Sequence, residues 1–168
     1  MVGDWRAHKK VEGGGTSAAP CKTGELGQEL IKHFEGCRLQ AYPDPASGGD
    51  PWTIGFGHTG PEVVPGYTIT QPVANQLLCD DLDRFEKAVL QNIDVAIDQC
   101  EFDALVSFTY NCGAGALAES TLRRRLNSGE NKPTVFAEEL PRWTNGGMAG
   151  LVRRRNAEVK LANQKQFP

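Results

Sequence analysis

Three oxygen-bearing side chains near the start of the chain have the types and spacing needed to break a glycosidic bond. Glu35 ends an amphipathic segment, Asp44 follows nine residues later beside a turn, and Thr53 opens a glycine-punctuated run. Glycoside hydrolysis requires a protonated carboxyl group that donates to the leaving oxygen. It also requires a charged carboxylate that activates water or stabilises positive charge on the sugar. The ordered set of residues therefore predicts this chemistry.

Each of these residues also has an ordinary structural interpretation. A glutamate at a helix end is commonly a solvated surface residue, Asp44 between two prolines is typical of a turn, and Thr53 suits a strand. Asp50, in the loop that follows Asp44, is a second candidate for the charged partner. The functional interpretation consequently depends on the set and not on any one member.

The segments around these residues resemble a known signature. They are Glu35-Gly36, Ala41-Tyr42-Pro43-Asp44 and Thr53-Ile54-Gly55-Phe56-Gly57-His58-Thr59. In this order they resemble the signature of the phage-type lysozymes, glycoside hydrolase family 24, which includes the endolysins of tailed phages. The resemblance continues through Gln99–Gly113, Ser120–Leu122, Leu126–Gly129, Arg142-Trp143 and Gly150–Arg155, and it covers most of the chain.

The resemblance implies an endolysin, a muramidase that hydrolyses the β-1,4 bond between N-acetylmuramic acid and N-acetylglucosamine in peptidoglycan and so lyses the host cell. Glu35 would be the general acid, Asp44 the charged partner, and Thr53 the residue that holds the attacking water. This arrangement favours inversion at the anomeric carbon.

The resemblance also suggests residues that bind the substrate. Tyr110 and Asn111 occupy the place of the family's cleft-lining residues, and Arg142 is a further candidate.

No metal and no organic cofactor is expected. A zinc site is disfavoured because the three histidines are far apart and no Cys-x-x-Cys occurs. His58 fits a structural hydrogen bond better than a catalytic base.

Local sequence patterns predict the elements that position these residues. Apolar residues at helical spacing over 24–36 predict a helix that Gly36 ends, with Glu35 in its last turn. The extended runs Leu39–Tyr42, Trp52–Phe56 and Tyr67–Thr70 predict a small antiparallel sheet. Thr70 and Pro72 predict the start of a long helix. We therefore expect an α+β, lysozyme-like fold, in which this helix joins a small sheet lobe to an all-helical C-terminal lobe.

Length and composition suggest one catalytic domain, residues 24–168, preceded by a flexible extension or linker, residues 1–23. No stretch approaches the ~20 apolar residues of a membrane span, and no cleavable signal follows Met1. A protein made in the bacterial cytoplasm that acts on the periplasmic cell wall would then depend on a holin, or on a native membrane anchor outside this sequence. We expect a monomer that binds peptidoglycan glycan strands and no nucleic acid.

Charge is unevenly distributed along the chain, whose net charge is −3. Residues 120–168 hold ten Lys and Arg against four Glu. These basic residues either steer an anionic glycan toward a cleft or form ordinary ion pairs on solvated helix faces.

Of the five cysteines, at least one is left over after pairing, and Cys79, Cys100 and Cys112 are expected to be buried free thiols.

Two other functions remain open from the sequence. A lytic transglycosylase cleaves the same bond with one acid and without water, but the presence of both Asp44 and Thr53 argues against it. A non-catalytic peptidoglycan-binding phage protein would keep the fold without needing these side chains.

Overall fold

The computed structural model describes residues 22–45 and 47–167. Most of the predicted N-terminal extension lies outside these residues. Thr23 is already buried, and its backbone N–H and its hydroxyl both donate to the Glu86 carboxylate at 2.7 Å. The packed part of the chain therefore begins just before the predicted domain boundary at Gly24.

The first helix, α1 (Glu25–Glu35), confirms the predicted boundary at its C-terminus. Leu30 and Ile31 are fully buried on its inner face. Gly36 ends the helix with a φ of 68°, a left-handed value that glycine adopts without strain. Glu35 is consequently the last helical residue, where the chain leaves the helix for the sheet.

A three-stranded antiparallel sheet follows, built from β1 (Arg38–Tyr42), β2 (Thr53–Gly55) and β3 (His58–Thr59) in that order. Gly57 has a φ of 98° and turns the chain back, so that His58 pairs with Ile54. A small apolar cluster of Ala41, Ile54 and Val63 packs beneath this sheet.

The prediction of a third strand at Tyr67–Thr70 was wrong. This segment lies along the outer edge of β1 but forms only one bridge, between Gln40 and Thr68. The register of β1 is irregular between Arg38 and Tyr42, and this irregularity interrupts the ladder on which a regular strand would extend.

The long helix α2 (Gln71–Asn92) connects the sheet to the helical lobe, as predicted. Thr70 occupies the N-cap position and Pro72 lies in the first turn, although the Thr70 side chain makes no capping hydrogen bond. Leu78, Leu82 and Val89 are buried.

The helical lobe is built around α3 (Gln99–Cys112), in which every residue from Glu101 to Thr109 is buried. Asp98 and Glu101 form a capping box at its start. The remaining helices are α4 (Ala114–Glu119), α5 (Thr121–Asn127), α6 (Lys132–Glu139), a 3₁₀ turn (Leu140–Arg142) and α7 (Ala149–Gln164). Within the described ranges, no helix combines the length and apolar character needed to cross a bilayer.

Several basic residues of the C-terminal region are paired with carboxylates or buried. Arg125 contacts Glu130, Glu138 and Glu139 at 2.7–2.8 Å. Arg154 and Arg155 are buried, so they are neither solvated nor available to attract a distant glycan. The ion-pair interpretation is therefore the better one for these residues.

A buried carboxylate on α3 holds the start of α1. Asp103 Oδ1 accepts hydrogen bonds from the Gly24 N–H at 2.9 Å and from Gln99 Nε2 at 2.8 Å. Burial raises the pKa of Asp103 to about 6. Gly27 permits this close approach, because a Cβ at that position would lie 2.6 Å from the Asp103 side chain.

We predict that Asp103 makes the stability of the protein depend on pH. Its folded-state pKa, about 6, lies above the ordinary aspartate value of 3.8, so its stabilising contribution is present below pH 3.8 and is lost as pH rises through about 6. This difference corresponds to at most about 3 kcal/mol in the free energy of unfolding.

Asp103→Asn removes this titration but leaves the other ionisable groups in place. We expect the variant to be less stable than the wild type, with the deficit narrowing between about pH 4 and about pH 7.5. Urea denaturation of both proteins across this range measures the difference. A deficit that is constant with pH would contradict the assignment.

Candidate active site

Glu35 is fixed at one oxygen and open at the other. Its Oε1 accepts a hydrogen bond from Arg154 Nη1 at 2.5 Å, and its side chain is 25% exposed. Among the described residues, nothing donates a hydrogen bond to its Oε2. One carboxyl oxygen is thus oriented by the protein while the other is available to a ligand.

Arg154 is itself held firmly by α3 and α7. Its side chain is only 4% exposed, and Nη2 donates to the backbone carbonyl of Ser107 at 3.2 Å. Its Nε lies 3.4 Å from Glu158 Oε1. Sequence reasoning missed this residue as a partner of Glu35. The available signal was the i, i+4 spacing of Arg154 and Glu158 on a helix that also buries Leu161 and Ala162.

Tyr110 connects the helical lobe to the sheet lobe beside Glu35. Its hydroxyl donates to the backbone carbonyl of Phe56 at 2.9 Å, and its ring packs edge-on against Phe85. Burial and, secondarily, the charge of Glu35 raise the pKa of Tyr110. Tyr110 therefore stays protonated as a hydrogen-bond donor, and its hydroxyl is already engaged.

The other two predicted substrate-binding residues have different partners. Asn111 Oδ1 accepts from Arg155 Nη2 at 3.0 Å, which leaves the amide NH₂ available. Arg142 is 67% exposed and lies 3.4 Å from Glu139 Oε2. Neither side chain hydrogen-bonds to Glu35 in the described structure, and their binding roles stay predictions.

Asp44 is fixed by the backbone of its own loop. Its Oδ1 accepts from the Ser47 N–H at 2.9 Å. Its backbone carbonyl accepts from the Gly48 N–H at 2.8 Å, and its N–H donates to the Gly49 carbonyl at 3.0 Å. The turn interpretation of Asp44 is therefore correct, and the same turn holds the half-buried carboxylate in place.

Thr53 lies on the face of the sheet that is turned away from the small apolar cluster. It pairs with Tyr42 on β1 and Thr59 on β3, whereas the next residue, Ile54, is fully buried on the opposite face. Its hydroxyl forms no hydrogen bond with the described residues. Asp44 follows Tyr42 by two residues, so Thr53 and Asp44 lie at the same end of the β1–β2 pair.

Asp50 belongs to a different part of the surface. It is exposed and lines a pocket of about 390 Å³ together with Pro51, Trp52, Thr59, Gly60, Pro61, Val63, Val64 and Pro65. Within the described part of the chain, Glu35, Asp44 and Thr53 are not among the residues that line this pocket. The geometry thus separates Asp50 from the candidate catalytic set.

His58 is engaged at both ring nitrogens. Nδ1 lies 2.8 Å from Asp81 Oδ2 and Nε2 lies 2.7 Å from Glu62 Oε1. Burial lowers the pKa of His58, but the hydrogen bonds to Glu62 and Asp81 outweigh burial and raise it. The predicted structural hydrogen bond of His58 is confirmed.

The four cysteines in the described residues are free thiols. Cys37 is exposed, and Cys79, Cys100 and Cys112 are only partly buried. The expectation of free thiols at the last three is therefore confirmed, and their side chains are buried only in part. Within the described ranges, no group of three or more His, Cys, Asp or Glu side chains is arranged to hold a metal ion.

Curated relatives match most of this chain. The endolysin of Bacillus phage PZA is 42% identical over 142 residues, which are 83% of this chain and 54% of that protein. The endolysin of Salmonella phage P22 is 44% identical over 137 residues, 78% of this chain and 90% of that protein. The chain spans about half the length of the Bacillus phage relatives it matches.

Solved structures share the architecture. An endolysin from Escherichia coli O157:H7 phage FAHEc1 superposes with a TM-score of 0.76 at 36% identity, covering 87% of this chain and 96% of that one. The muramidase domain of SpmX from Asticaccaulis excentricus gives a TM-score of 0.73 at 39% identity, covering 84% and 97%. The model of the phage lysozyme family matches residues 32–158, and the chain therefore belongs to the phage lysozyme family.

Proposed function

We propose that this chain is a muramidase endolysin that hydrolyses the β-1,4 bond between N-acetylmuramic acid and N-acetylglucosamine in peptidoglycan. The observation that carries the proposal is the Glu35 carboxyl group, which Arg154 fixes at one oxygen and which is open at the other. Membership of the phage lysozyme family supports the same reaction class.

In this mechanism Glu35 is the general acid. Oε2 carries the proton to the leaving glycosidic oxygen, while Arg154 keeps Oε1 in a constant position. Once the proton has left, the guanidinium group stabilises the carboxylate that remains. Positioning and charge stabilisation thus come from the same contact.

Asp44 and Thr53 act on the attacking water and on the anomeric carbon. Asp44 remains a carboxylate that orients the water or stabilises positive charge at the anomeric carbon, and the backbone N–H of Ser47 fixes its direction. The Thr53 hydroxyl, which is not engaged by the described residues, holds the attacking water. Tyr110, Asn111 and Arg142 contact the sugar chain, and no step needs a cofactor.

Hydrolysis is favoured over a lytic transglycosylase by this second group of residues, and over a non-catalytic binding protein by the contact between Glu35 and Arg154. A lytic transglycosylase, which closes an anhydro ring without water, has no use for a fixed Asp44 carboxylate or an open Thr53 hydroxyl. A non-catalytic binding protein has no use for a glutamate oriented by a buried arginine.

The proposed setting follows from the substrate. The protein is made in the cytoplasm of the host bacterium, is released toward the periplasmic cell wall with the help of a holin, and works there as a monomer on glycan strands.

Glu35→Gln should lower lysis by about 10²–10⁴-fold, because the amide retains the acceptor for Arg154 but has no proton to transfer. Glu29→Gln is the matched control, because Glu29 is an exposed residue of the same helix. Loss of turbidity of chloroform-treated Gram-negative cells measures both variants. Activity of Glu35→Gln close to that of the control would remove Glu35 from the acid role.

Asp44→Asn should be severely impaired and Asp50→Asn nearly normal in the same assay. The asparagine at position 44 still accepts from the Ser47 N–H, so the loop is kept and only the charge is lost. Asp50 lines a separate pocket. The opposite ranking of the two variants would assign the charged partner to Asp50.

The product should show inversion of configuration. An inverting enzyme leaves about 6.5–9.5 Å between its carboxyl groups for a water molecule, whereas a retaining enzyme leaves about 5–5.5 Å. We expect fresh product from the β-linked glycan as the α-anomer with a normal reducing end. NMR before mutarotation and mass spectrometry of the fragments measure these properties. An early β-anomer would indicate retention, and a product lighter by one water molecule would indicate a transglycosylase.

A further inference from the structure

A fully buried carboxylate lies behind the candidate active site. Glu158, on α7, is 0% exposed, and its Oε1 accepts from the Ser107 hydroxyl at 2.8 Å and from Arg155 Nη2 at 2.9 Å. Arg154 Nε lies 3.4 Å from the same oxygen. A single carboxylate oxygen thus contacts two arginines and the central helix.

The two arginines lead from Glu158 to different parts of the site. Arg154 Nη1 reaches Glu35, the proposed acid. Arg155 Nη2 reaches Asn111, a predicted substrate-binding residue, and its Nη1 lies 3.0 Å from Cys112 Sγ. Glu158 is therefore the common anchor of the two side chains that orient the acid and the neighbouring amide.

Burying this cluster between α3 and α7 carries a large desolvation cost. Arg154 Nε, Arg155 Nε and Glu158 Oε2 are buried and make no hydrogen bond with the described residues. Buried ion pairs contribute little net stability, and apolar residues of similar volume often replace them without loss. The cluster is thus better explained by what it orients than by the stability it adds.

The charged and titratable groups of the cluster come from three helices. They are Glu35 of α1, Tyr110 and Cys112 of α3, and Arg154, Arg155 and Glu158 of α7. Burial raises the pKa of Glu158, while both guanidinium groups and the Ser107 hydroxyl act in the opposite direction. The carboxylate is the form that neutralises the cluster, because a protonated Glu158 would remove the anion that pairs with Arg155 and would leave Glu35 to pair with Arg154.

We propose that Glu158 is a positioning residue of the hydrolytic site, which holds Arg154 in place while sharing its positive charge with Glu35. This inference rests on the proposed function. If Glu158 carried no charge, Glu35 alone would balance Arg154, and the Glu35 carboxylate would bind the guanidinium group more strongly. Glu35 would then take up the proton that a general acid needs less readily.

Glu158→Gln tests this role, because it removes the charge and retains the shape. The matched control is Glu86→Gln, which also neutralises a buried glutamate, but one that binds Thr23 at the far end of α1. Ser107→Ala is a milder variant that removes one hydrogen bond from Glu158 and a longer one, 3.5 Å, from Arg154 Nη2, while the Ser107 carbonyl still holds Arg154. It supplies the answer if Glu158→Gln does not fold.

Three measurements separate positioning from stability. Urea denaturation gives the folded fraction of each variant, and kcat and KM on soluble peptidoglycan fragments across pH give the kinetic effect. NMR titration of the Glu35 side chain reports its proton uptake without any turnover.

We expect Glu158→Gln to lower kcat about tenfold while changing KM less than about twofold. The alkaline limb of the pH–rate profile and the NMR titration of Glu35 should both move to lower pH, with a smaller movement in Ser107→Ala. Glu86→Gln should lower the free energy of unfolding without moving the pH–rate profile or the NMR titration of Glu35.

A folded Glu158→Gln with wild-type kcat and an unmoved titration would overturn the proposal. If that variant does not fold, an unmoved titration in Ser107→Ala would overturn it. A wild-type protein that releases no fragments would instead refute the proposed function, and the NMR titration would still decide whether Glu158 acts on Glu35.

Discussion

The contact between Arg154 and Glu35 joins residues 119 positions apart and depends on three helices, α1, α3 and α7. Glu35 is presented where Gly36 stops α1, and Arg154 projects from α7. Between them α3 supplies the Ser107 carbonyl that fixes the guanidinium group. Since a partly exposed carboxylate next to a buried arginine has one geometry only when all three helices are packed, the geometry of the site depends on how these helices pack together.

Helix α1 is held at both ends by polar contacts that begin on α3. At its start, the Asp103 carboxylate accepts from the Gly24 N–H, where the positive end of the helix dipole favours an anion. At its end, Ser107 positions Arg154, which binds Glu35. Leu30 and Ile31, in the middle of α1, bury this helix against the apolar core. Apolar packing has no preferred direction, so it does not by itself orient the helix. The polar contacts therefore set the direction in which the proposed acid points.

Local signals in the sequence predicted the elements that local forces determine. Gly36 marked the end of α1, and Pro72 after Thr70 marked the start of α2, because both act through backbone geometry within one turn. The third strand was misplaced because Tyr67–Thr70 has strand-like composition, while the real partner, His58–Thr59, is only two residues long. Its position depends on the turn at Gly57, which composition alone does not reveal.

The same distinction explains which site residues were found. Glu35, Asp44 and Thr53 lie within nineteen residues of one another, so their order could be compared with a known signature. Arg154, Glu158 and Ser107 are distant in sequence, and Arg153–Arg155 suggests a solvated basic face when viewed without the fold. Only packing shows that Arg153 is exposed while Arg154 and Arg155 are buried. Helical periodicity requires neighbouring residues to face different directions, so one arginine can be solvated while the next binds the acid. The residues that tune a site are thus the ones a contiguous motif omits, because they reach it through the core rather than along the chain.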